Sequence, residues 1–418
     1  MSIRFRGLWR NPDFLRLWTG ETISIFGTLA AGGAVTYTAI LWLNASALEV
    51  SVLAACQLTP GFAVGLLAGV WVDRLRKRPV MIIADIGRAA ALGSIPLAAY
   101  FDVLTLPQLY VTALVTGTFR VFFDSAYQSY LPALVDKDEL VEANSKLTVS
   151  ASVVEIGGFG ISGWLVQLFK APGAVLIDAV SFLFSAFFVW RIKAPEAAPA
   201  PSHEREGFFR EAMEGASVVA NNVYLRAFAV TNLVQEFSSQ LLSVTFLLYL
   251  VNELGFNPGV LGMIFAIGGA TSLGGAWLAN RVELLGGLGR ALAVSVVLRT
   301  FGMLTMPLAG GVTWAGYGFL IAGQLITDPF WTLYNIHDVS IRQSITPEHV
   351  QGRMFANFKF LEFGAALLGA VAGGLLGQLV GLRETLFISV GLSGVGAVAL
   401  LASPVVRLKT MPGDLDTN

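Results

Sequence analysis

Ionisable side chains stand inside long apolar runs of this chain: Glu21, Arg120, Asp124, Glu155, Glu236 and Asp328. A charge at the centre of a bilayer costs at least about 2.5–3.5 kcal/mol, so such a residue is expected to face a water-filled route or a partner. Carboxylates held in this way can take up and release protons. Arg120 and Asp124 stand four apart on one helical face, so they either neutralise each other or line a polar route. Glu21 either lines the route or reaches toward the cytoplasmic surface and Arg16. Glu236 and Asp328 have no opposite charge nearby in sequence and fall near the middle of their runs, which makes them the candidate proton carriers. Glu155 either joins them or forms a buried hydrogen bond between helices. Asp85 and Arg88, three apart, read as a structural pair, Asp178 reads as a packing residue, and Arg299 as the partner of a charge on another helix.

Other chemistries find little support. Cys56 is the one cysteine, so no intrachain disulfide can form, and the three histidines (His203, His337, His349) have no metal-ligand spacing. No phosphate-binding Gly-x-x-x-x-Gly-Lys-Ser/Thr loop occurs, so the energy for any transport would come from an ion gradient. No cofactor or metal is expected, and a multi-span membrane enzyme is disfavoured because no clustered nucleophile, base or metal set occurs. A net charge of −1 offers no electrostatic case for a nucleic-acid partner.

The elements that position these residues are membrane helices. Of 418 residues, 55% are hydrophobic and 13% charged, against about a quarter charged in soluble domains. A crossing helix needs about 20 largely apolar residues. Twelve such stretches are legible: Phe14–Trp42, Leu48–Val72, Val80–Tyr100, Leu106–Leu131, Leu147–Leu168, Gly173–Trp190, Leu225–Leu250, Gly259–Leu278, Arg290–Leu308, Trp314–Ile341, Phe355–Val380 and Thr385–Val406. The basic N-terminus leads into an apolar run too long for a cleavable signal peptide. With both termini in the cytoplasm, the outer connections carry only Lys170 and Arg383, while Arg74, Arg76, Lys77, Arg78, Lys137, Arg191, Lys193, Arg281 and Arg353 fall inside. That bias agrees with an even number of spans.

The segment Ala194–Ala216 begins as a Pro/Ala linker and becomes charged and amphipathic. It divides the chain into residues 1–193 and 217–418, each a bundle of six helices. Shifting the sequence by about 210 positions aligns DFLRLW at Asp13–Trp18 with VYLRAF at Val223–Phe228, and LVDKDELVEAN at Leu134–Asn144 with SITPEHVQGRM at Ser344–Met354. The fold class expected is therefore an all-α integral membrane protein of twelve helices in two pseudo-symmetric bundles.

After the second span comes GVWVDRLRKRP, Gly69 to Pro79. This stretch resembles the loop 2–3 signature of major facilitator transporters, and the resemblance implies that Gly69, Asp73, Arg74, Lys77 and Arg78 form a cytoplasmic gate. NPDFLRLWTGETISIFGT (Asn11–Thr28), LPALVDKDELVEAN, IDAVSFLFSA (Ile177–Ala186) and SIRQSITPEHVQGRM (Ser340–Met354) are similar to the bacterial drug:proton antiporter-3 group, which includes macrolide efflux proteins and the enterobactin exporter. The resemblance implies that Asp73 meets the N-terminus of span 11, and that Arg74, Lys77 and Arg78 pair with carboxylates at the end of span 4, Asp136 or Asp138. It implies a central cavity lined by spans 1, 4, 7 and 10, with Tyr127, Asn232, Gln235, Trp331, Tyr334 and Asn335 as candidate cargo contacts. It implies a monomer in the bacterial inner membrane that exports a small amphipathic molecule, drug or siderophore-like, against protons. Import or facilitated diffusion of a metabolite or lysolipid is the alternative. Two departures stand out: Thr28 occupies a position that is often acidic, and IGGFGISGW (Ile156–Trp164) lacks the family's fifth-span proline.

Overall fold

The computed structural model describes residues 7–135, 139–196 and 208–411, and the regular structure among them is helical throughout. The first apolar run forms α1 (Pro12–Ala30), α2 (Ala34–Tyr37) and a π-helical turn, Thr38–Trp42. It is followed by α3 (Ala47–Asp73), α4 (Lys77–Tyr100), α5 (Leu106–Leu134) and α6 (Leu140–Trp190). After α7 (Phe208–Asn221) come α8 (Val223–Leu248), with a π turn at Tyr249–Glu253, then α9 (Pro258–Ala279), α10 (Leu288–Leu308), α11 (Trp314–Ser344), α12 (Glu348–Leu379) and α13 (Leu382–Leu401).

The 51 residues of α6 would span about 75 Å at 1.5 Å per residue, more than twice a bilayer core. The helix breaks where the sequence places an outer loop. Lys170 has φ 59° and ψ 162°, just ahead of Pro172 and Gly173, so α6 supplies two legs. Among the described residues nine helical stretches are long and apolar enough to cross a membrane; α5 and α11 are not among them. Both are long, 29 and 31 residues, but they carry polar groups through their length, including Arg120 and Asp124 in one and Asp328, His337, Asp338 and Arg342 in the other.

Burial is inverted relative to a soluble helix. On α4, Asp85 and Arg88 are 0% and 7% exposed, while Ile83, Ile86 and Leu97 are 61%, 50% and 60% exposed. An outward apolar face costs nothing in lipid, whereas an outward charge would be severely penalised.

Contacts divide the chain into two compact units: Met1–Ala45, Cys56–His203 and Pro258–Ala266 in one, and Ser46–Ala55, Glu204–Asn257 and Ile267–Asn418 in the other. Two short segments thus depart from the division at the linker expected from sequence. Pro258 and Gly259 pack closely on Gly163 of α6, and Ser51 packs on Gly374 of α12. In the first unit α1 runs along α6, and Gly27 lies so close to Ser181 that any side chain there would collide.

The repeat is visible as local chemistry. Asn11 caps α1 by accepting from the amides of Asp13 and Phe14 at 3.0 and 3.1 Å, and Asn222 caps α8 by accepting from Tyr224 and Leu225 at 2.9 and 3.2 Å. The two caps are 211 positions apart (222 − 11). The same interval separates the starts of the π turns, Thr38 and Tyr249, and the left-handed residues beyond them, Asn44 (φ 52°) and Gly255 (φ 73°).

Candidate functional site

The first unit contains a cavity of about 440 Å³. Its α1 wall is Glu21, Ser24, Ile25 and Thr28, whose three- and four-residue spacing places them on one face. From α5 come Ala113, Thr116, Gly117, Arg120 and Asp124, again one face, and α4, α6 and α3 add Arg88, Asp178 and Gln57. Leu29, Leu92, Phe123 and Phe182 make the lining partly apolar.

Both signs of charge are present. Arg120 Nε lies 3.7 Å from Asp124 Oδ2, with both side chains more than half exposed, so the expected i,i+4 pair forms but stays open. Thr28 donates a 2.9 Å hydrogen bond to Asp178 Oδ1, putting a hydroxyl-bound carboxylate on the wall where packing alone was expected. Glu21 Oε2 is buried without a hydrogen-bond partner. It does not reach Arg16, which pairs with Asp13 instead. Arg88 was expected to be purely structural, yet it lines this cavity. Its guanidinium donates to Asp85, lies 4.5 Å from the Phe123 ring centroid and 4.1 Å from that of Phe182, and interacts electrostatically with Glu21, Asp124 and Asp178. Tyr127 is half-buried and stacks on Phe123 with centroids 6.1 Å apart. Glu155 is exposed and does not border the cavity.

The second unit holds a more enclosed network, in which most polar atoms are bonded but Asp338 Oδ1 and Arg342 Nε have no hydrogen-bond partner. Arg299 donates to Gln235 and Ser239, and its guanidinium sits 4.2 Å from the Trp331 centroid. Gln235 also donates to the Ser393 carbonyl at 3.1 Å and accepts from the Ser393 hydroxyl at 3.0 Å. Tyr334 donates to Asn232 Oδ1 at 2.7 Å, Asn232 donates to Asp338 Oδ2 at 3.2 Å, and Arg342 grips the same carboxylate oxygen at 2.5 Å. Asn232, Gln235 and Tyr334 are 7%, 1% and 1% exposed. This corrects the expectation that these three line a cargo cavity: their polar atoms are consumed inside the bundle, as burial requires. Trp331 and Asn335 remain half-buried. Glu236 and Asp328 are also half-buried, and both interact electrostatically with the enclosed Arg299. The Asp328 carboxylate lies directly against the backbone of Gly268 on α9.

The motif after α3 is described only in part. The side chains of Gly69 and Asp73, and residues Asp136 and Asp138, lie outside the described set. Lys77 closes the end of α3, donating to the carbonyls of Val72 and Leu75 at 2.7 and 3.0 Å. Arg78 donates to the carbonyls of Val189 (3.2 Å) and Trp190, capping the end of α6. The Glu196 carboxylate accepts from the amides of Lys77 and Arg78 at the start of α4. Among described residues these two basic side chains therefore cap helices. Arg74 is exposed.

The family model described as Major Facilitator Superfamily matches residues 17–341. The chain belongs to the major facilitator superfamily. This facilitator is 28% identical over 396 residues to the multidrug efflux pump Tap of Mycolicibacterium fortuitum, covering 89% of this chain and 92% of the relative. It is 20% identical over 386 residues to macrolide efflux protein A of Streptococcus pyogenes, covering 90% and 92%. A bacterial homologue of the iron transporter ferroportin shares the fold, with a TM-score of 0.73 at 18% identity over 95% of this chain and 99% of the other. The facilitator is thus a multi-pass membrane transporter, not an enzyme.

For this facilitator, sequence reading placed Glu21, Arg120 and Asp124 in one polar route and missed Arg88 and Asp178 as wall residues. A signal for Arg88 was present in the repeat: Arg88 and Arg299 are 211 apart (299 − 88), and both are buried, 7% and 6% exposed. The same interval links Glu21 to Asn232 (232 − 21), so one register carries an open acid in the first unit and a fully bonded amide in the second.

Proposed function

We propose that this facilitator is a secondary exporter that moves an amphipathic small molecule outward in exchange for protons, by alternating access. The observation that carries the reading is the 440 Å³ cavity walled by Glu21, Arg120, Asp124, Asp178 and apolar side chains within membrane-embedded helices. A partly apolar pocket with convergent polar and charged groups suits amphipathic cargo, and the relatives named for efflux supply the direction. In this reading the chain crosses the inner membrane of a bacterium twelve times as a monomer with both ends in the cytoplasm. Residues 1–193 and 217–418 form its bundles, with 194–216 as the cytoplasmic linker. Glu21 and Asp124 exchange protons and cargo, and Glu236 and Asp328, beside Arg299, carry protons in the second bundle.

Proteoliposomes with an acidic lumen test this with radiolabelled erythromycin, scored above protein-free vesicles. Proton antiport predicts accumulation that collapses when the pH gradient is dissipated. Movement indifferent to the gradient would replace antiport by facilitated diffusion. Unchanged gradient-driven transport in both Glu236→Gln and Asp328→Asn would remove those residues as carriers.

A further inference from the structure

The cavity of the first unit has an uneven charge arrangement that bears on what it holds. Asp85 accepts from one Arg88 nitrogen behind the wall, with the carboxylate fully buried and both on α4, while Arg88 Nε has no hydrogen-bond partner. Among the charged groups on the wall, Arg120 and Glu21 have binding capacity to spare. Arg120 is 72% exposed at its side chain, and its pairing with Asp124 is loose, 3.7 Å from Nε to Oδ2, so its guanidinium stays open to a further anion. Glu21 presents a buried carboxylate oxygen without a hydrogen-bond partner. Asp178 is occupied by the Thr28 and Ser181 hydroxyls at 2.9 and 3.5 Å. The same lining also offers apolar surface from Ile25, Leu29, Leu92 and Phe182.

We propose that this cavity takes a zwitterionic amphipathic solute, one whose carboxylate or phosphate lies on the Arg120 fork and whose ammonium lies against Glu21. The inference rests on the reading of this cavity as the cargo site. A guanidinium fork matches two oxygens of one anionic group, which a solitary ammonium cannot do. An unpaired buried carboxylate oxygen is costly until a donor reaches it, and a protonated amine is the strongest small donor available. A purely cationic solute leaves Arg120 facing a like charge, and a purely anionic one leaves Glu21 unpaired. Only a solute with both signs completes the wall, while its apolar body covers the aliphatic and phenyl surface.

The test uses three forms of one fluorescent body with the full-length protein in non-ionic detergent. ε-Dansyl-L-lysine is a zwitterion, its methyl ester a cation, and its Nα-acetyl derivative an anion. A lost charge-assisted bond of about 1.5–3 kcal/mol corresponds to roughly 10–100-fold in affinity, so the zwitterion is expected to bind at least about tenfold tighter than either other form. Arg120→Gln should erase its advantage over the ester, and Glu21→Gln its advantage over the acetylated form. Arg120→Lys, which keeps the charge and loses the fork, should fall between wild type and Arg120→Gln. Equal binding of all three forms, no binding of any, or an equal loss for all forms in both variants would overturn the proposal. If erythromycin is exported and the dansyl series shows no preference, the zwitterion inference alone falls. If the preference holds and no solute crosses the membrane, the exporter reading falls and the binding site stands.

Discussion

Asp85→Ala isolates the energetic logic of the first unit. The Asp85 side chain is fully buried, and Arg88 beside it is 7% exposed. Removing one member of a buried pair strands the other, at about 3–5 kcal/mol. Arg88 cannot shed its proton to escape, but Glu21, Asp124 and Asp178 still interact with it, and its guanidinium still rests on Phe123 and Phe182. The loss should therefore sit at the lower end, about 3 kcal/mol, or roughly a hundredfold in the folding equilibrium. Asp85→Leu combined with Arg88→Met removes both charges and should recover most of that loss, since apolar replacement of a whole buried pair is often neutral. Thermal unfolding of the purified protein in non-ionic detergent, run as a double-mutant cycle, reads the coupling directly. The reasoning is refuted if Asp85→Ala costs less than about 1 kcal/mol, or if the double variant is as unstable as the two single losses added together.

Three further outcomes follow from geometry. Asn11→Ala and Asn222→Ala should each cost about 1 kcal/mol and by similar amounts, because each asparagine caps its helix through two amides; a large inequality in thermal stability would contradict equivalent caps. Gly27→Val should destabilise strongly by forcing α1 away from Ser181, and Ser181→Ala in the same chain should return part of the loss; detergent thermal scans that leave Gly27→Val at the wild-type midpoint would disprove the close approach. Gly268→Ala should displace the Asp328 carboxylate, so proton-driven erythromycin uptake should fall while the protein still elutes as a folded species on size exclusion; full uptake would show that the position of Asp328 does not matter.

Hydropathy and charge placement determine much of this transporter on their own. An apolar run of about 20 residues has few options in lipid other than a helix, so spans, the loop at Lys170 and the two-part repeat are written into residue types. The Asn caps are equally local, since a cap needs only its own next two or three amides. Spacing of three, four and seven likewise places Glu21 with Thr28, and Arg120 with Asp124, on single helix faces.

Which way each face points is a tertiary matter. Asn232 and Glu21 hold the same register in the two repeats, yet one is bound by Tyr334 and Asp338 while the other keeps an unpartnered oxygen at a cavity. Arg88 reads from its own helix as the mate of Asp85, and only the arrival of α1, α5 and α6 beside it makes it a wall residue. Lys77 and Arg78 similarly find carbonyls at the ends of α3 and α6. A buried polar group takes whatever partner the packing of helices distant in sequence brings within about 3 Å, and no local pattern encodes that distance.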